Sequence, residues 1–226
     1  MNYMLKKRLL ALLYPTRCPA CRKVIFPHET FCGDCLQKLT EYSGNCVIRG
    51  AELFIAPFEY DAKISPAILL LKRGVKGNAA YALGSAVAEK LENLGISRKI
   101  DVIVPVPLHK EDKRVRGFNQ AELIACEVGR ILNITVSTAI VEKIRRTNPQ
   151  KTLTKRQRKI NLKDAFEVSD SAKIRGKCIL LLDDVCTTGS TLSEITKLLK
   201  SKGATAVYCA VCCKTPDFKK EDVENG

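Results

Sequence analysis

Residues 178–192 read CILLLDDVCTTGSTL, and the rest of the chain is organised around them. Five apolar residues run directly into Asp183 and Asp184, and a run of Thr, Gly and Ser then opens an amphipathic segment. An unbroken apolar run is typical of a central parallel strand that is covered on both faces. Ligands of such sheets bind at the carboxyl ends of the strands. The stretch therefore predicts a buried strand, a polar loop and a helix start, with a binding site at the loop.

The chemistry of this loop points to a phosphorylated sugar. The backbone N–H groups of residues 188–191 lie at a predicted helix N-terminus, where unpaired donors and the helix dipole favour an anion. Asp183 and Asp184 would repel a phosphate at contact distance, so we expect them to accept hydrogen bonds from vicinal sugar hydroxyls nearby. Any Mg2+ would be held mainly by oxygens of the ligand. The alternative is a strand that ends in two solvated aspartates and an ordinary Thr/Ser helix cap.

Composition and charge favour certain classes of binding partner but do not identify a single one. The 226 residues include 38 Lys and Arg against 24 Asp and Glu, a net charge of +14. Such a surplus favours nucleic acid, phosphorylated metabolites or an anionic membrane surface. The 11 cysteines, mostly set in apolar runs, favour a reducing compartment, and we expect a cytoplasmic protein with free thiols. With no Trp and few other aromatic residues, contacts to nucleic acid should be mainly to phosphates.

The amino terminus predicts neither a membrane span nor a signal peptide. No apolar run approaches the roughly 18 residues that a span requires. Residues 9–13 form an apolar run after three basic residues, but the run is too short and no small-residue cleavage site follows it. We expect residues 1–14 to form a short amphipathic helix that packs on the next module, in preference to membrane attachment.

Two Cys-x2-Cys pairs follow this helix. Cys18 and Cys21 are separated by ten residues from Cys32 and Cys35. Two such turns can direct four thiolates at one centre, the tetrahedral ligand set that Zn2+ prefers, whereas two disulfides are the alternative. A module of this size buries little core, so the metal would supply most of its folding energy. Cys46 stands alone and is interpreted as a leftover thiol.

The middle of the chain predicts a second part of the site. Pro105 and Pro107 leave a stiff turn at the end of a predicted strand. The cations of residues 113–116 follow, and Arg116 is the best candidate for a pyrophosphate clamp because a guanidinium can grip two oxygens. His109 fits a packed neutral side chain and a catalytic one equally well.

Three further segments have a predicted role. Asn78 is expected to cap a helix from Ala79 to about Leu94, and the basic turn 72–77 before it fits a solvated loop or a phosphate contact. Residues 142–159 contain eight Lys or Arg and fit a lid or a nucleic-acid contact better than a passive loop. The pattern divides the chain into a zinc-binding module at 1–50, an α/β domain at 51–216 and a disordered tail at 217–226.

The motifs together resemble those of the ComF family over nearly the whole chain, and residues 178–192 resemble the binding motif for phosphoribosyl pyrophosphate (PRPP) of type I phosphoribosyltransferases. A further Cys-x-x-Cys-Gly of many ComF members is reduced here to Cys46. The other matching residues are the cysteine pairs at 18–35, Pro-Val-Pro-Leu at 105–108, Arg-Gly-Phe-Asn-Gln at 116–120, Thr-x-Pro-Gln at 147–150, Arg158, Asn161 and Ala165-Phe166.

This resemblance implies a parallel-sheet type I phosphoribosyltransferase fold behind a zinc-binding module, and a role in DNA uptake during natural transformation. Asp183 and Asp184 would hold the ribose hydroxyls, and the 5'-phosphate would bind the segment formed by Thr187, Thr188, Gly189, Ser190 and Thr191. Purine-salvage enzymes carry an Asp at the position of Thr187, which cannot act as a base at neutral pH. Hypoxanthine or guanine is therefore disfavoured as the acceptor.

Two functions are compatible with these residues. The first is an enzyme that binds PRPP with Mg2+, with Asp183, Asp184 and Arg116 as its catalytic residues and an unknown acceptor. The second is a non-catalytic module with a vestigial PRPP site, which binds single-stranded DNA or couples to a helicase of the competence machinery. Both include structural Zn2+.

Overall fold

A parallel β-sheet lies at the centre of the computed structural model, which describes residues 3–73, 78–146, 162, 164–169 and 173–216. Its strand order is β1-β7-β6-β3, with β2 also paired to β7, and a separate antiparallel pair is formed by β4 and β5. The strands are β1 (Leu53–Ile55), β2 (Phe58–Glu59), β3 (Val102–Pro105), β4 (Val141–Lys143), β5 (Phe166–Val168), β6 (Cys178–Cys186) and β7 (Ala206–Lys214).

Helices cover both faces of this sheet, which is the α/β architecture that the sequence predicts. Leu180 and Leu182 of β6 pack with one group of helices, and the alternate residues Ile179 and Leu181 pack against the last helix. The helices are α1 (Tyr3–Leu13), α2 (Gly33–Leu36), α3 (Ser65–Lys72), α4 (Ala79–Asn93), α5 (Lys110–Arg116), α6 (Gln120–Leu132) and α7 (Ser190–Ser201), with a 3-10 helix at Ser97–Lys99. No helix of the described part is long and apolar enough to cross a membrane.

Strand β6 is longer than its apolar run. Residues 179–182 are fully buried, as a central strand requires, but the pairing with β7 continues through Asp183 as far as Cys186. Asp183 and Asp184 therefore lie within the strand, and the polar loop begins only after it. Parallel pairing with the long strand β7 holds both carboxylates on rigid backbone.

Helix α1 packs through its polar side chains. Tyr3 donates to Glu127 of α6 at 3.0 Å, and the Lys7 ammonium donates to Asn78 at 2.8 Å. Leu12 is 82% exposed, and Leu9 and Leu13 are also exposed. The sequence predicted a helix that packs on the cysteine-rich module, whereas these two hydrogen bonds join α1 to Glu127 and Asn78 of the α/β domain.

Asn78 joins the two parts of the chain instead of capping α4. Helix α4 begins at Ala79 as predicted, but no capping hydrogen bond is formed by the Asn78 side chain. Its amide nitrogen donates to the carbonyl oxygens of Glu29 and Thr30 in the cysteine-rich module, both at 2.9 Å. A buried amide with two carbonyl acceptors is better satisfied there than at the helix start.

Candidate functional site

A cavity of about 560 Å³ lies at the carboxyl ends of β3 and β6. Its walls include Arg116 of α5 and the two aspartates of β6, Asp183 and Asp184. Arg116 is distant from these aspartates in the sequence. The loop after β6 contributes Thr187, Gly189, Ser190 and Thr191. Thr188 is the exception, because it lines a neighbouring cavity of about 540 Å³ together with Arg49 and Lys197.

The two carboxylates are held by their own backbone and are partly withdrawn from solvent. The N–H of Asp184 donates to Asp183 Oδ1, and the N–H of Val185 donates to Asp184 Oδ1, both at 2.8 Å. Burial raises the pKa of Asp183 well above its ordinary value, and the charge of Asp184 raises it further. Such a pair of acceptors is suited to sugar hydroxyls or to a hydrated cation. Either partner would reduce the electrostatic repulsion between the two carboxylates.

Lys72, at the end of α3, approaches the carboxylates from the other side of the cavity. Its ammonium lies 4.0 Å from Asp184 Oδ2. In the sequence, Lys72 belongs to a basic turn that fits either a solvated loop or a phosphate contact. The packing of α3 beside the sheet brings Lys72 to the site. Residues 74–77 of that turn lie outside the described residues.

The loop after β6 presents its donors at the start of α7. Gly189 has a φ of +73°, in the left-handed region, and directly precedes the helix. The hydroxyls of Thr188 and Ser190 are 2.9 Å apart. The twelve-residue helix begins at Ser190, so its first N–H groups and its dipole face the cavity end of the loop.

Arg116 and Gln120 form the opposite wall. Arg116 Nη1 donates to Gln120 Oε1 at 3.0 Å. Gln120 is only 4% exposed, and its amide nitrogen has no hydrogen-bond partner among the described residues. A buried donor without a partner costs free energy unless a ligand accepts from it. Gln120 was not predicted as a ligand, although the Arg-Gly-Phe-Asn-Gln motif contains it.

Asn119 holds this wall in place. Its amide nitrogen donates to the carbonyl oxygen of Val106 at 2.9 Å, and its side-chain oxygen accepts from the N–H of Ala121 at 3.1 Å. The first bond ties the start of α6 to the turn after β3. His109 takes no part, because its Nδ1 accepts from the N–H of Glu111 at 3.4 Å as the cap of α5 and it does not line the cavity.

The predicted basic segment 142–159 is described only as far as residue 146. Lys143 lines the cavity from β4, and burial lowers its pKa, while the carboxylates of Asp112 and Asp183 act in the opposite direction. Arg146 lies 3.2 Å from Asp112 and 3.4 Å from Glu111 on α5. The described start of the segment therefore contacts the helix that ends in Arg116.

The four cysteines of the amino-terminal module converge as predicted. The sulphur atoms of Cys18, Cys21, Cys32 and Cys35 all lie within 4.8 Å of one another. Cys21 and Cys32 are 3.6 Å apart, close to the roughly 3.8 Å between thiolates on a tetrahedral Zn2+. Burial would raise the pKa of Cys18, but backbone N–H groups donate to its sulphur and lower the pKa to about 7. The group fits Zn2+.

Comparison with known proteins agrees with both halves of this arrangement. Residues 76–225 match the phosphoribosyl transferase domain family, and residues 9–62 match the double zinc ribbon domain. Among solved structures, adenine phosphoribosyltransferase from Thermoanaerobacter pseudethanolicus is 18% identical and covers 67% of this chain and 86% of its own, with a TM-score of 0.41.

Two named relatives align with most of this chain. DNA utilization protein YhgH of Escherichia coli is 34% identical over 205 residues, which are 88% of this chain and 85% of that protein. Competence protein F of Haemophilus influenzae is 33% identical over 200 residues, which are 82% and 85% of the two chains. This chain belongs to the ComF family of competence proteins, in which a type I phosphoribosyltransferase domain follows a zinc-binding module.

Proposed function

We propose that the cavity binds PRPP together with Mg2+. The observation that carries this proposal is the convergence of three unlike groups in one cavity: the paired carboxylates of β6, the donor-rich loop before α7, and the wall of Arg116 and Gln120. A sugar with phosphates at both ends has a matching group for each of them. An isolated phosphate would leave the carboxylates without a role.

The parts of the ligand follow from this chemistry. The 5'-phosphate would accept from the N–H and hydroxyl groups of residues 187–191. The ribose hydroxyls would donate to Asp183 and Asp184, and the pyrophosphate would accept from Arg116 and Gln120. Mg2+ would be held by ligand oxygens and, through water, by the two carboxylates, and it would neutralise part of the pyrophosphate charge.

A transferase reaction here would break the bond between the anomeric carbon and the pyrophosphate and form a bond from that carbon to an acceptor. Arg116 and Gln120 would stabilise the negative charge of the leaving group. Thr187 cannot take a proton from the acceptor at neutral pH, so we expect an acceptor that is nucleophilic without a base at this position. Release of pyrophosphate in the presence of candidate acceptors measures such turnover.

Calorimetric titration with PRPP and Mg2+ tests the proposed ligand. We expect saturable binding to the wild-type protein and a loss of affinity of about 100-fold in Asp183→Asn/Asp184→Asn, because two sets of charge-assisted hydrogen bonds are lost. Asp101→Asn is the matched control, since Asp101 precedes β3 and lies at the other end of the sheet. No binding to the wild-type protein would contradict the proposal.

We also propose that the protein acts in the cytoplasm in DNA uptake, where it contacts single-stranded DNA or a helicase that handles it. The net charge of +14 supports contact with a polyanion, and the relatives are named as DNA utilization and competence proteins. Residues 142–159 are the proposed contact, and of its described residues Lys143 lines the cavity. We propose a division of the chain at about residue 50, with a tail after residue 216 that lies outside the described residues.

Fluorescence anisotropy with a labelled oligonucleotide tests the DNA contact. We expect affinity to fall steeply between about 50 and 200 mM salt, as counterion release requires. Replacing Arg145, Arg146 and Arg158 by Gln should weaken binding. The matched control replaces Arg98, Lys99 and Arg175 by Gln. These cations precede β3 and β6, so they lie at the amino ends of the strands, opposite the cavity. Affinity that does not change with salt would exclude this contact.

A further inference from the structure

Segment 46–50, at the end of the amino-terminal module, lies directly against the loop before α7. Ile48 is only 2% exposed and belongs to the same core cluster as Cys186 and Leu192, which flank that loop. A Cβ built on Gly189 would overlap Ile48 Cδ1, and it would lie 3.7 Å from the sulphur of Cys186. Gly189 is thus held between the Ile48 side chain and the end of β6.

This contact is the apolar support of the loop that Ile48 provides. Thr187 and Thr188 are exposed, so Gly189 is the buried residue of the three that connect β6 to α7. Its φ of +73° is one that residues with a Cβ rarely adopt. Thr215 donates to the carbonyl oxygen of Thr187 at 3.4 Å, and Ile48 supplies an apolar contact at Gly189.

The supporting segment is itself anchored on α7 and β7. The N–H of Ala51 donates to the carbonyl oxygen of Ile48 at 3.0 Å, which closes a turn. The N–H of Glu52 donates to Val207 of β7 at 2.8 Å, and the Glu52 carboxylate accepts from Lys200 of α7 at 2.7 Å. The turn is therefore fixed to the sheet and to the helix that the loop precedes.

We propose that Ile48 is a positioning residue for the phosphate end of the cavity. The inference rests on the proposed PRPP site. An array of N–H donors stabilises an anion only when it is held in place beforehand, because moving the donors at the moment of binding costs free energy. Ile48 is not among the residues that line the cavity, so it would act through Gly189.

The inference predicts a loss that is selective for one end of the ligand. Ile48→Ala should weaken binding of ribose 5-phosphate about tenfold, the effect of losing one charge-assisted hydrogen bond. Binding of Mg2+-pyrophosphate should stay within about twofold, since that end meets Arg116 and Gln120 on the opposite wall. A residue with a purely structural role would change both affinities together or neither.

Calorimetry with ribose 5-phosphate and with Mg2+-pyrophosphate on the full chain is the test. Ile48→Val, which removes only the methyl group nearest Gly189, should give an intermediate loss and keeps the test valid if Ile48→Ala does not fold. Ile96→Ala is the matched control for lost core packing, because Ile96 is 5% exposed and belongs to the other core cluster. Val47→Ala controls for the segment, because Val47 is 86% exposed. Both controls should bind as the wild type does.

The other outcomes contradict either the positioning role of Ile48 or the PRPP site itself. Unchanged ribose 5-phosphate affinity in Ile48→Ala, or an equal loss for both ligands, contradicts the positioning role and leaves the PRPP site standing. The same loss in Ile96→Ala also contradicts it, since general destabilisation would then explain the effect. If the wild-type protein binds neither ligand nor PRPP, the proposed function fails and this inference fails with it.

Discussion

At the scale of single residues, the candidate site is held in an arrangement that costs stability. Asp183 and Asp184 are adjacent, partly buried and of like charge, and Gln120 keeps a buried donor without a partner among the described residues. Groups in such surroundings are enriched at functional sites because a ligand can satisfy them. The structure therefore predicts that removing them stabilises the free protein while it weakens ligand binding.

Asp183→Asn tests this balance through pH. The raised pKa means that the native state holds a proton on Asp183 more strongly than the unfolded chain does. The stabilising contribution of this group is full below the ordinary carboxyl pKa of about 3.9 and is lost as pH rises through the raised native pKa. Because asparagine does not ionise, the Tm of Asp183→Asn should exceed that of the wild type at pH 8, by calorimetry without ligand. The difference should close as the pH falls, and a constant difference would contradict the argument.

Gln120→Ala tests the opposite wall. Loss of the amide donor should weaken binding of Mg2+-pyrophosphate about tenfold and should change ribose 5-phosphate binding little, as titration calorimetry can measure. The exposed Gln37→Ala in the zinc-binding module is the matched control and should leave both affinities unchanged. An equal loss of both ligands would show that Gln120 supports the fold and not the pyrophosphate.

At the scale of elements, glycines allow α6 to pack closely against α4 and against the segment that follows α6. A Cβ on Gly84 of α4 would lie 2.8 Å from the Glu127 Cβ of α6. One on Gly129 of α6 would lie 2.7 Å from the carbonyl oxygen of Ile134. Backbone cannot move aside as a flexible side chain can. Because α6 carries Gln120 at its first turn, the position of this helix determines that of the Arg116 and Gln120 wall.

Gly129→Ala should therefore destabilise the protein by about 1–3 kcal/mol in urea unfolding, despite the better helix propensity of alanine. The collision with backbone outweighs a propensity gain of about 1 kcal/mol or less. Gly33→Ala in α2 is the matched control, since a Cβ there meets nothing within 4 Å. A neutral Gly129→Ala would mean that α6 and the segment after it can move apart without cost.

At the scale of the whole molecule, the zinc-binding module and the phosphoribosyltransferase domain are joined by more than a linker. Asn78 donates to two carbonyl oxygens of the module, and Ile48 packs on the loop before α7. The module has little apolar core, so the metal must supply much of its stability. Loss of Zn2+ should consequently reach the larger domain through these contacts.

Metal removal tests this coupling. We expect about one equivalent of Zn2+ per chain by elemental analysis. Cys21→Ser, or treatment with a chelator, should remove the metal and lower the Tm. Cys126→Ser is the matched control, because Cys126 is an exposed cysteine on α6 outside the cluster. Full zinc content in Cys21→Ser would contradict the assigned ligand set.

The sequence by itself determined the features that depend on local pattern. The apolar run of β6 predicted the central strand, and the spacing of Cys18, Cys21, Cys32 and Cys35 predicted their convergence. Both succeed because periodicity and short spacing act through neighbouring residues. The start of α4 was predicted from the same kind of signal, whereas the role of Asn78 was not.

Only the tertiary structure decided which distant residues meet at the cavity. Lys72 and Lys143 belong to segments whose sequences fit a solvated loop and a lid, and Ile48 belongs to the predicted zinc-binding module. Helix packing and strand pairing bring all three beside β6. The orientation of helix α1 also depends on residues far along the chain, because α1 bonds to Glu127 and Asn78 and leaves its leucines exposed. Contacts between residues far apart in the chain leave no periodic signal in one sequence, so local reasoning cannot find them.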